Sequence, residues 1–357
     1  MARAWIEGKP IALERAIGEA ARLLAASRAP LVAGLGTDIA GARAAIGLAD
    51  RIGAVIDHMH SDVVLRDLAV VREAGMMMIT PSEARLRADT LLLVGPGLDD
   101  AWSDLAAWRR LDGARSVIRL CPGRATTSRD DGITTIGRDH DRLPVLLAAL
   151  RARIAGRPVG KTSVPVKAID DLVKRLQAAR FGVAAWSATA FDVLAIEMLC
   201  GIVADLNAQT RFSGFSVAPG DNAVGVMQAC GWMTGFPMRT GFGRGYPEHD
   251  PWRFNGIRLV ASREVDCVLW ISAYGATAPA LDAGQPTIAL TAGAAALSGR
   301  PAVQIEVGHP GVDHDAVQHN ATLATLVAVQ AARRSDTISV ADAIGRIVAA
   351  LPGGAPP

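Results

Sequence analysis

Short apolar runs alternate with stretches of helical periodicity along most of the chain. A helical pattern over 10–28 precedes the apolar run 31–33, which ends in Gly34-Leu35-Gly36, and a second helical pattern continues to Arg51. The next apolar run, 54–56, completes a strand–turn–helix–strand order that predicts a βαβ unit and therefore a parallel sheet. The same reasoning predicts further buried strands at 90–94, 116–120, 133–136, 183–186, 265–272, 287–290 and 303–307.

The predicted elements fall into two halves with a similar order. The strand segments Arg87–Gly95 and Arg263–Ile271 match each other, and each is followed by two further predicted strands. We therefore predict an α/β fold with two Rossmann-like parallel-sheet domains, residues 1–160 and 161–357. The boundary is placed in Ala155–Pro165, a segment rich in Gly, Pro and Lys. Ligands of such sheets bind beyond the carboxyl ends of the strands.

Composition narrows the class of protein. Of the 357 residues, 50% are hydrophobic and 20% are charged, which excludes a disordered chain, and the net charge is only +2. That balance argues against nucleic acid or a membrane surface as partner. No apolar run is long enough to span a bilayer and the first ten residues contain no signal-peptide core, so we expect a cytoplasmic protein. The four cysteines form no C-x-x-C pair, which disfavours a disulfide framework or zinc ribbon.

Three polar segments follow predicted strands. Gly34-Leu35-Gly36 lacks the spacing of the dinucleotide fingerprint, so we favour a tight turn over an NAD site. In 57–62, His58 and His60 point the same way on an extended segment and could chelate a divalent metal, but a polar loop is the favoured interpretation. A solvated loop is also favoured over a metal site for the third group, His309, His314 and His319.

Residues 210–256 are rich in glycine and contain half of the protein's Phe, Tyr and Trp residues. Glycine allows close approach of the backbone to a ligand or partner, and aromatic rings supply rigid contact area. We interpret this insertion in the second domain as a binding cleft or an interface, in which Arg239, Arg244 and Arg253 could contact an anion or an acidic partner. The candidate residues are Asn222, Trp232, Thr234, Phe236, Arg239, Arg244 and Tyr246.

Several motifs in this order resemble the B subunit of formylmethanofuran dehydrogenase over nearly the whole chain. They are Ala29-Pro30-Leu31-Val32-Ala33-Gly34-Leu35, Gly53-Ala54-Val55-Ile56-Asp57, Arg87-Ala88-Asp89, Thr210-Arg211-Phe212, Gly220-Asp221-Asn222, Gly231-Trp232-Met233-Thr234-Gly235-Phe236-Pro237 and Arg244-Gly245-Tyr246-Pro247. The resemblance implies a molybdopterin oxidoreductase-like fold, without the iron–sulfur domain, and in the family a molybdenum or tungsten bis-pterin guanine dinucleotide lies between the two domains.

The sequence departs from that family where the redox chemistry is located. No cysteine precedes Cys121, so the family's N-terminal motif for a [4Fe–4S] cluster is missing. Where the family has its metal-ligating cysteine or selenocysteine, this chain has Ser61, Asp62 and Val63. A centre of this type requires a soft thiolate ligand. We therefore expect neither cofactor, and no catalytic or metal-binding residue.

Because it lacks these cysteines, the chain resembles more closely the B subunit of the formyltransferase/hydrolase complex of methylotrophic bacteria. The resemblance implies a non-catalytic structural subunit whose partners are an amidohydrolase-type A subunit, a C subunit and a formyltransferase D subunit. Together they convert formyl-tetrahydromethanopterin to formate through a methanofuran-like carrier. The alternatives are an active formylmethanofuran dehydrogenase subunit that holds Mo or W through a residue such as Asp62, or a binding module that keeps the cleft without a metal.

Overall fold

The computed structural model describes residues 3–98, 102, 116–123, 133–137, 139–189, 191–275, 277, 284–293, 300–333 and 335–353. Its α-helices are α1 (Leu13–Ala26), α2 (Ile39–Ile52), α3 (Ser61–Glu73), α4 (Pro81–Arg87), α5 (Leu143–Ile154), α6 (Val166–Gln177), α7 (Val193–Leu206), α8 (Ala223–Thr234), α9 (Gly256–Ala261) and α10 (Val340–Ala350). None of the helices within these ranges is long and apolar enough to cross a bilayer.

The strands begin with a short antiparallel pair that the sequence pattern did not predict. Here Lys9–Ile11 is a strand, so the first helix begins at Leu13 and not at residue 10. The strands are β1 (Ala4–Ile6), β2 (Lys9–Ile11), β3 (Pro30–Gly36), β4 (Val55–His58), β5 (Thr90–Val94), β6 (Ser116–Leu120), β7 (Ile133–Ile136), β8 (Gly182–Trp186), β9 (Phe212–Ser216), β10 (Thr240–Gly241), β11 (Glu248–His249), β12 (Cys267–Ser272), β13 (Thr287–Ala292), β14 (Val303–Val307), β15 (Ala316–Asn320) and β16 (Thr325–Val329).

The first compact unit comprises residues 1–61, 220–320 and 325–357. Its nine-stranded sheet has the order β11-β10-β4-β3-β12-β13-β14-β1-β2, in which β4 to β14 are parallel and the strands at both ends are antiparallel. Strands β3 and β12 are buried along their whole length because they lie in the middle of the sheet. Apolar faces of α1, α2, α8 and α10 complete the core. A separate hairpin, β15-β16, also belongs to this unit.

The second compact unit comprises residues 62–219 and 321–324. Its sheet is parallel throughout, with the order β7-β6-β5-β8-β9. Helices α5, α6 and α7 contribute most of the apolar side chains on one face of this sheet. The mixed α/β fold with parallel sheets predicted from the sequence is therefore confirmed.

The predicted boundary at residues 160/161 is corrected by the pairing of the strands. Strand β8 follows that boundary, yet it pairs in parallel with β5 in one sheet. Strand β3 precedes the boundary and pairs with β12, which is more than 200 residues later in the chain. Parallel strands are joined by long crossover connections, so the order of strands along the chain does not tell which sheet each one joins.

The predicted match between 87–95 and 263–271 does correspond to equivalent positions. Strands β5 and β12 are each the middle strand of five parallel strands, and each is followed outward by the next two strands of the chain. The orders β7-β6-β5-β8-β9 and β14-β13-β12-β3-β4 are therefore the same arrangement. In the first unit, however, the β3-β4 pair comes before the other three strands in the sequence.

Candidate functional site

Gly34-Leu35-Gly36 forms the last three residues of β3, at the carboxyl edge of the nine-stranded sheet. Gly34 has φ +77°, and a Cβ atom there would lie 2.6 Å from the carbonyl oxygen of Ile271, so only glycine fits. The sequence predicted a tight turn here, but all three residues belong to strand β3, in which Leu35 also has a left-handed φ of +55° and the pairing with β12 shifts register. The next helix, α2, is capped by the buried carboxylate of Asp38, which accepts a hydrogen bond from the Gly41 N–H at 3.0 Å. That carboxylate occupies the end of the helix that otherwise attracts phosphate.

Three side chains, which we call the histidine–aspartate cluster, meet at the end of β4: His58, His60 and Asp221. The imidazole Nε2 of His58 donates to the Asp221 carbonyl oxygen at 3.1 Å, and its Nδ1 accepts from the His60 N–H at 3.0 Å. The Nε2 of His60 lies 3.0 Å from the Asp221 carboxylate. Burial lowers the pKa of His58 to about 4, with a smaller contribution from the His60 charge, so His58 is neutral at neutral pH. The Asp221 pKa is lowered by its hydrogen bond to His60.

The loop that carries Asp221 is fixed by its neighbour Asn222. Both residues have left-handed φ values, +55° and +57°. The Asn222 amide donates to the Thr37 carbonyl oxygen at 2.8 Å, and its Oδ1 accepts from the His319 N–H at 2.8 Å. The candidate residue Asn222 is therefore a structural link between the end of β3 and β15.

His319 is thus part of a strand, and the solvated loop that the sequence favoured at this position is wrong. Residues 316–320 (Ala-Val-Gln-His-Asn) show no apolar–polar alternation, so the sequence contained no clear strand signal here. The same region contains Tyr274, whose ring contacts His309 edge-on at 5.3 Å and whose hydroxyl donates to Gln318 at 2.7 Å. The loop of Asp221 and Asn222 therefore contacts His58 and His60 on one side and the backbone of His319 on the other.

The three residues that the sequence motifs placed at the family's metal-ligand position have ordinary structural roles. Ser61 is buried, begins α3, and its hydroxyl accepts from the His58 N–H at 3.0 Å. Asp62 is exposed in the first turn of the same helix, where a negative charge is favourable. Val63 is buried in the apolar core of the second unit.

Arg239 is buried, so it does not contact a partner as the sequence suggested. Its guanidinium Nε lies 3.5 Å from Asp57 Oδ1, and the side chains of both residues are only 8% exposed. Asp57 Oδ2 accepts from the Gly256 N–H at 2.8 Å, and Arg239 Nη1 donates to the Pro251 carbonyl oxygen. The pair joins β4 to the segment after β11. The sequence did not reveal this ion pair, because Asp57 and Arg239 are far apart in the chain.

Residues 231–257, which we call the aromatic segment, expose several large apolar side chains. Trp232 is 64% exposed and Trp252 is 72% exposed, and Phe236 and Tyr246 are also exposed. Phe236 stacks on His249, with the ring centroids 6.2 Å apart. Thr234 supports this arrangement, because its hydroxyl accepts from the Phe236 N–H at 3.1 Å.

The exposed arginines of this segment have intramolecular partners. Arg244 pairs with Glu248 at 3.2 Å, and a hydrogen bond to Tyr246 contributes most to raising its pKa. Arg253 lies over the Phe254 ring at 5.1 Å. The predicted candidate residues therefore lie in three different places. Asn222 belongs to the sheet edge, Arg239 to the interior, and the others to an exposed aromatic segment.

Sequence comparison supplies the observation that decides the family. The chain is 35% identical over 317 residues to the B subunit of the formyltransferase/hydrolase complex Fhc of Methylorubrum extorquens, which covers 86% of this chain and 85% of the relative. The chain belongs to the family of Fhc B subunits. The resemblance seen in the sequence motifs is thereby confirmed. No protein-family model matches the chain.

Two further similarities agree with membership of the Fhc B-subunit family. The B subunit of the tungsten-containing formylmethanofuran dehydrogenase 2 of Methanocaldococcus jannaschii is 29% identical over 288 residues, or 74% of this chain and 65% of that protein. Among solved structures, the formyltransferase/hydrolase complex (FhcABCD) from Methylorubrum extorquens in complex with methylofuran matches with a TM-score of 0.86. That match has 32% identity and covers 96% of this chain and 97% of the other.

The thiols of this member of the Fhc B-subunit family do not fit a molybdenum or tungsten centre at the sheet edge. In the first unit, Cys230 lies within α8 and Cys267 begins β12, at the opposite end of that strand from the cluster. Burial raises the pKa of Cys230 to about 11 and that of Cys267 to about 12. Cys121 and Cys200 are buried in the core of the second unit.

The histidines do not form a metal site within the described ranges. No group of three or more His, Cys, Asp or Glu side chains in them is arranged to hold a metal ion. His58 uses both ring nitrogens in hydrogen bonds within the protein. The histidine–aspartate cluster is therefore held together by hydrogen bonds within the protein.

Proposed function

We propose that this chain is a non-catalytic structural subunit of a formyltransferase/hydrolase complex. Its partners are an amidohydrolase-type A subunit, a C subunit and a formyltransferase D subunit, which convert formyl-tetrahydromethanopterin to formate through a methanofuran-like carrier. The similarity to the Fhc B subunit over 86% of the chain carries this assignment. The solved FhcABCD complex, matched over almost the whole chain, supports it.

The absence of a redox cofactor is part of the same proposal. Asp38 caps the helix that would face a diphosphate, and the Asp221 carboxylate lies at the same edge. Two carboxylates oppose the phosphates of a pterin dinucleotide, and no described thiol of the first unit lies at this edge. We also propose that both units are Rossmann-like domains of the molybdopterin oxidoreductase type, which their common strand order supports.

Native mass spectrometry of the untagged protein from its own host tests the proposal. We expect a hetero-oligomer in which this chain has its bare polypeptide mass. A chain with the extra mass of a pterin dinucleotide together with Mo or W contradicts the proposal and favours an active dehydrogenase subunit. A chain found alone, without other subunits, contradicts the assignment to a complex.

The aromatic segment is expected to contribute to this assembly. Replacing Trp232 by alanine should weaken binding of the other subunits about 30-fold or more, since tryptophans that become buried on binding are frequent hot spots of interfaces. Binding is measured by titrating the variant against the remaining subunits. Leu86→Ala is the control, because Leu86 is an even more exposed apolar residue of the second unit. Equal loss in both variants, or in neither, contradicts the interface assignment.

A further inference from the structure

In the described part of the chain the outer edge of β16 pairs with no other strand, and the backbone geometry of the β15-β16 hairpin identifies the groups on that edge. Within the described ranges the two strands pair only with each other, with His319 opposite Leu326 and Val317 opposite Ala328. The His319 N–H donates to the Asn222 side chain and therefore points away from β16. In an antiparallel pair, directly opposed residues alternate between bonded and non-bonded pairs. It follows that the N–H and C=O groups of Leu326 and Ala328 point away from β15, toward the outer edge of β16.

These outward groups have no backbone partner in the described part of the chain. On the outer edge of β15, the His319 N–H is already bonded to the side-chain oxygen of Asn222. On the β16 side Thr325 and Ala328 are exposed, and Leu326, Val327 and Val329 are half-buried. None of the five residues of the strand is fully buried.

Strand β16 lacks the features that protect free edges from pairing. Its sequence, Thr-Leu-Val-Ala-Val, contains no charge and no proline, and its register with β15 is unbroken by a bulge. The outer strands of the nine-stranded sheet differ. Strand β2 carries Lys9 and Pro10, and β11 consists only of Glu248 and His249. An uncharged, β-branched edge of this length is typical of a strand that is paired in the working state of a protein.

We propose that the outer edge of β16 binds an extended segment of another subunit, which adds a third strand to the hairpin. This inference rests on the proposed function, because it assigns the partner to the same complex. The main-chain groups of Leu326 and Ala328 give two donors and two acceptors to the incoming strand, and β-addition uses such groups for affinity. Flanking valine and threonine side chains select an apolar, uncharged segment.

Ala328→Pro in the full-length chain, co-expressed with the other subunits, tests this contact. Proline deletes the outward N–H of Ala328 but none of the hydrogen bonds to β15, and proline is tolerated at a free edge. Val317→Pro is the matched control, since it deletes the outward N–H of the directly opposite residue on β15. We expect Ala328→Pro to lower the affinity for the complex about tenfold or more, and Val317→Pro to leave it within about twofold.

Hydrogen exchange of the wild-type protein gives an independent measurement. The Leu326 and Ala328 amides should exchange at least about tenfold more slowly in the complex than in the isolated chain. Unchanged exchange, together with normal assembly of Ala328→Pro, overturns the inference while the proposed function stands. A homodimer of the isolated chain that Ala328→Pro disrupts also overturns it, because a second copy then occupies the edge. A wild-type chain that binds no other subunit overturns both.

Discussion

Replacement of Arg239 by methionine is expected to lower the free energy of unfolding by about 3–5 kcal/mol. The guanidinium faces Asp57 within the protein interior, and both side chains are only 8% exposed. Methionine preserves much of the length and apolar volume of the arginine stem, so the main consequence is a buried carboxylate without its cation. A charge in that state costs far more than the same charge in water. Urea denaturation at neutral pH gives the measurement.

The control for this variant is Arg244→Met in the aromatic segment. Arg244 also pairs with a carboxylate, that of Glu248, but its side chain is exposed, so we expect a much smaller loss of stability than in Arg239→Met. Adding Asp57→Asn to Arg239→Met should restore part of the stability, because the amide is neutral and its oxygen can still accept from the Gly256 N–H. A double variant less stable than Arg239→Met would contradict this account.

Acidification is expected to destabilise the first unit through His58. Its pKa is about 4 in the folded protein and about 6.5 for an unperturbed histidine, so the unfolded chain binds the proton more tightly. The contribution of neutral His58 to stability is complete above about pH 6.5. It is lost progressively as the pH falls from about 6.5 to about 4, by about 3 kcal/mol in total.

His58→Gln isolates this contribution from those of the carboxylates that titrate in the same range. Glutamine is neutral at every pH and its amide can donate to the Asp221 carbonyl oxygen, as the imidazole does. We expect the difference in unfolding free energy between wild type and variant to change by about 3 kcal/mol between about pH 7 and pH 4. Urea denaturation at several pH values measures it. A pH-independent difference would mean that His58 is not buried and neutral.

Some features of the candidate site were accessible from the sequence because they are local. Gly34-Leu35-Gly36 ends a buried apolar run, and steric contact with the neighbouring backbone requires glycine at position 34. Trp232, Phe236 and Tyr246 are exposed, and the interpretation of the glycine-aromatic segment as an interface stays a prediction. The sequence alone also shows that positions 61–63 are Ser, Asp and Val and contain no thiol.

Other features depend on residues that are distant in the chain. Arg239 looked like a surface cation until the fold placed it against Asp57. Asp221 was not a candidate for proton chemistry, because its partners His58 and His60 are far away in the sequence. His319 was assigned to a loop, and only its pairing with Leu326 made it part of a strand.

The sequence by itself determined the α/β class, the central parallel strands β3 to β8 and β12 to β14, and the kinship with B subunits, because periodicity and local motifs are properties of contiguous segments. The tertiary structure decided which sheet each strand joins, since parallel pairing is non-local and leaves no mark on the strands themselves. It also decided which charged and polar residues are buried together. Burial sets the pKa of His58 and the strength of the Asp57–Arg239 pair, and burial is a property of the packed chain.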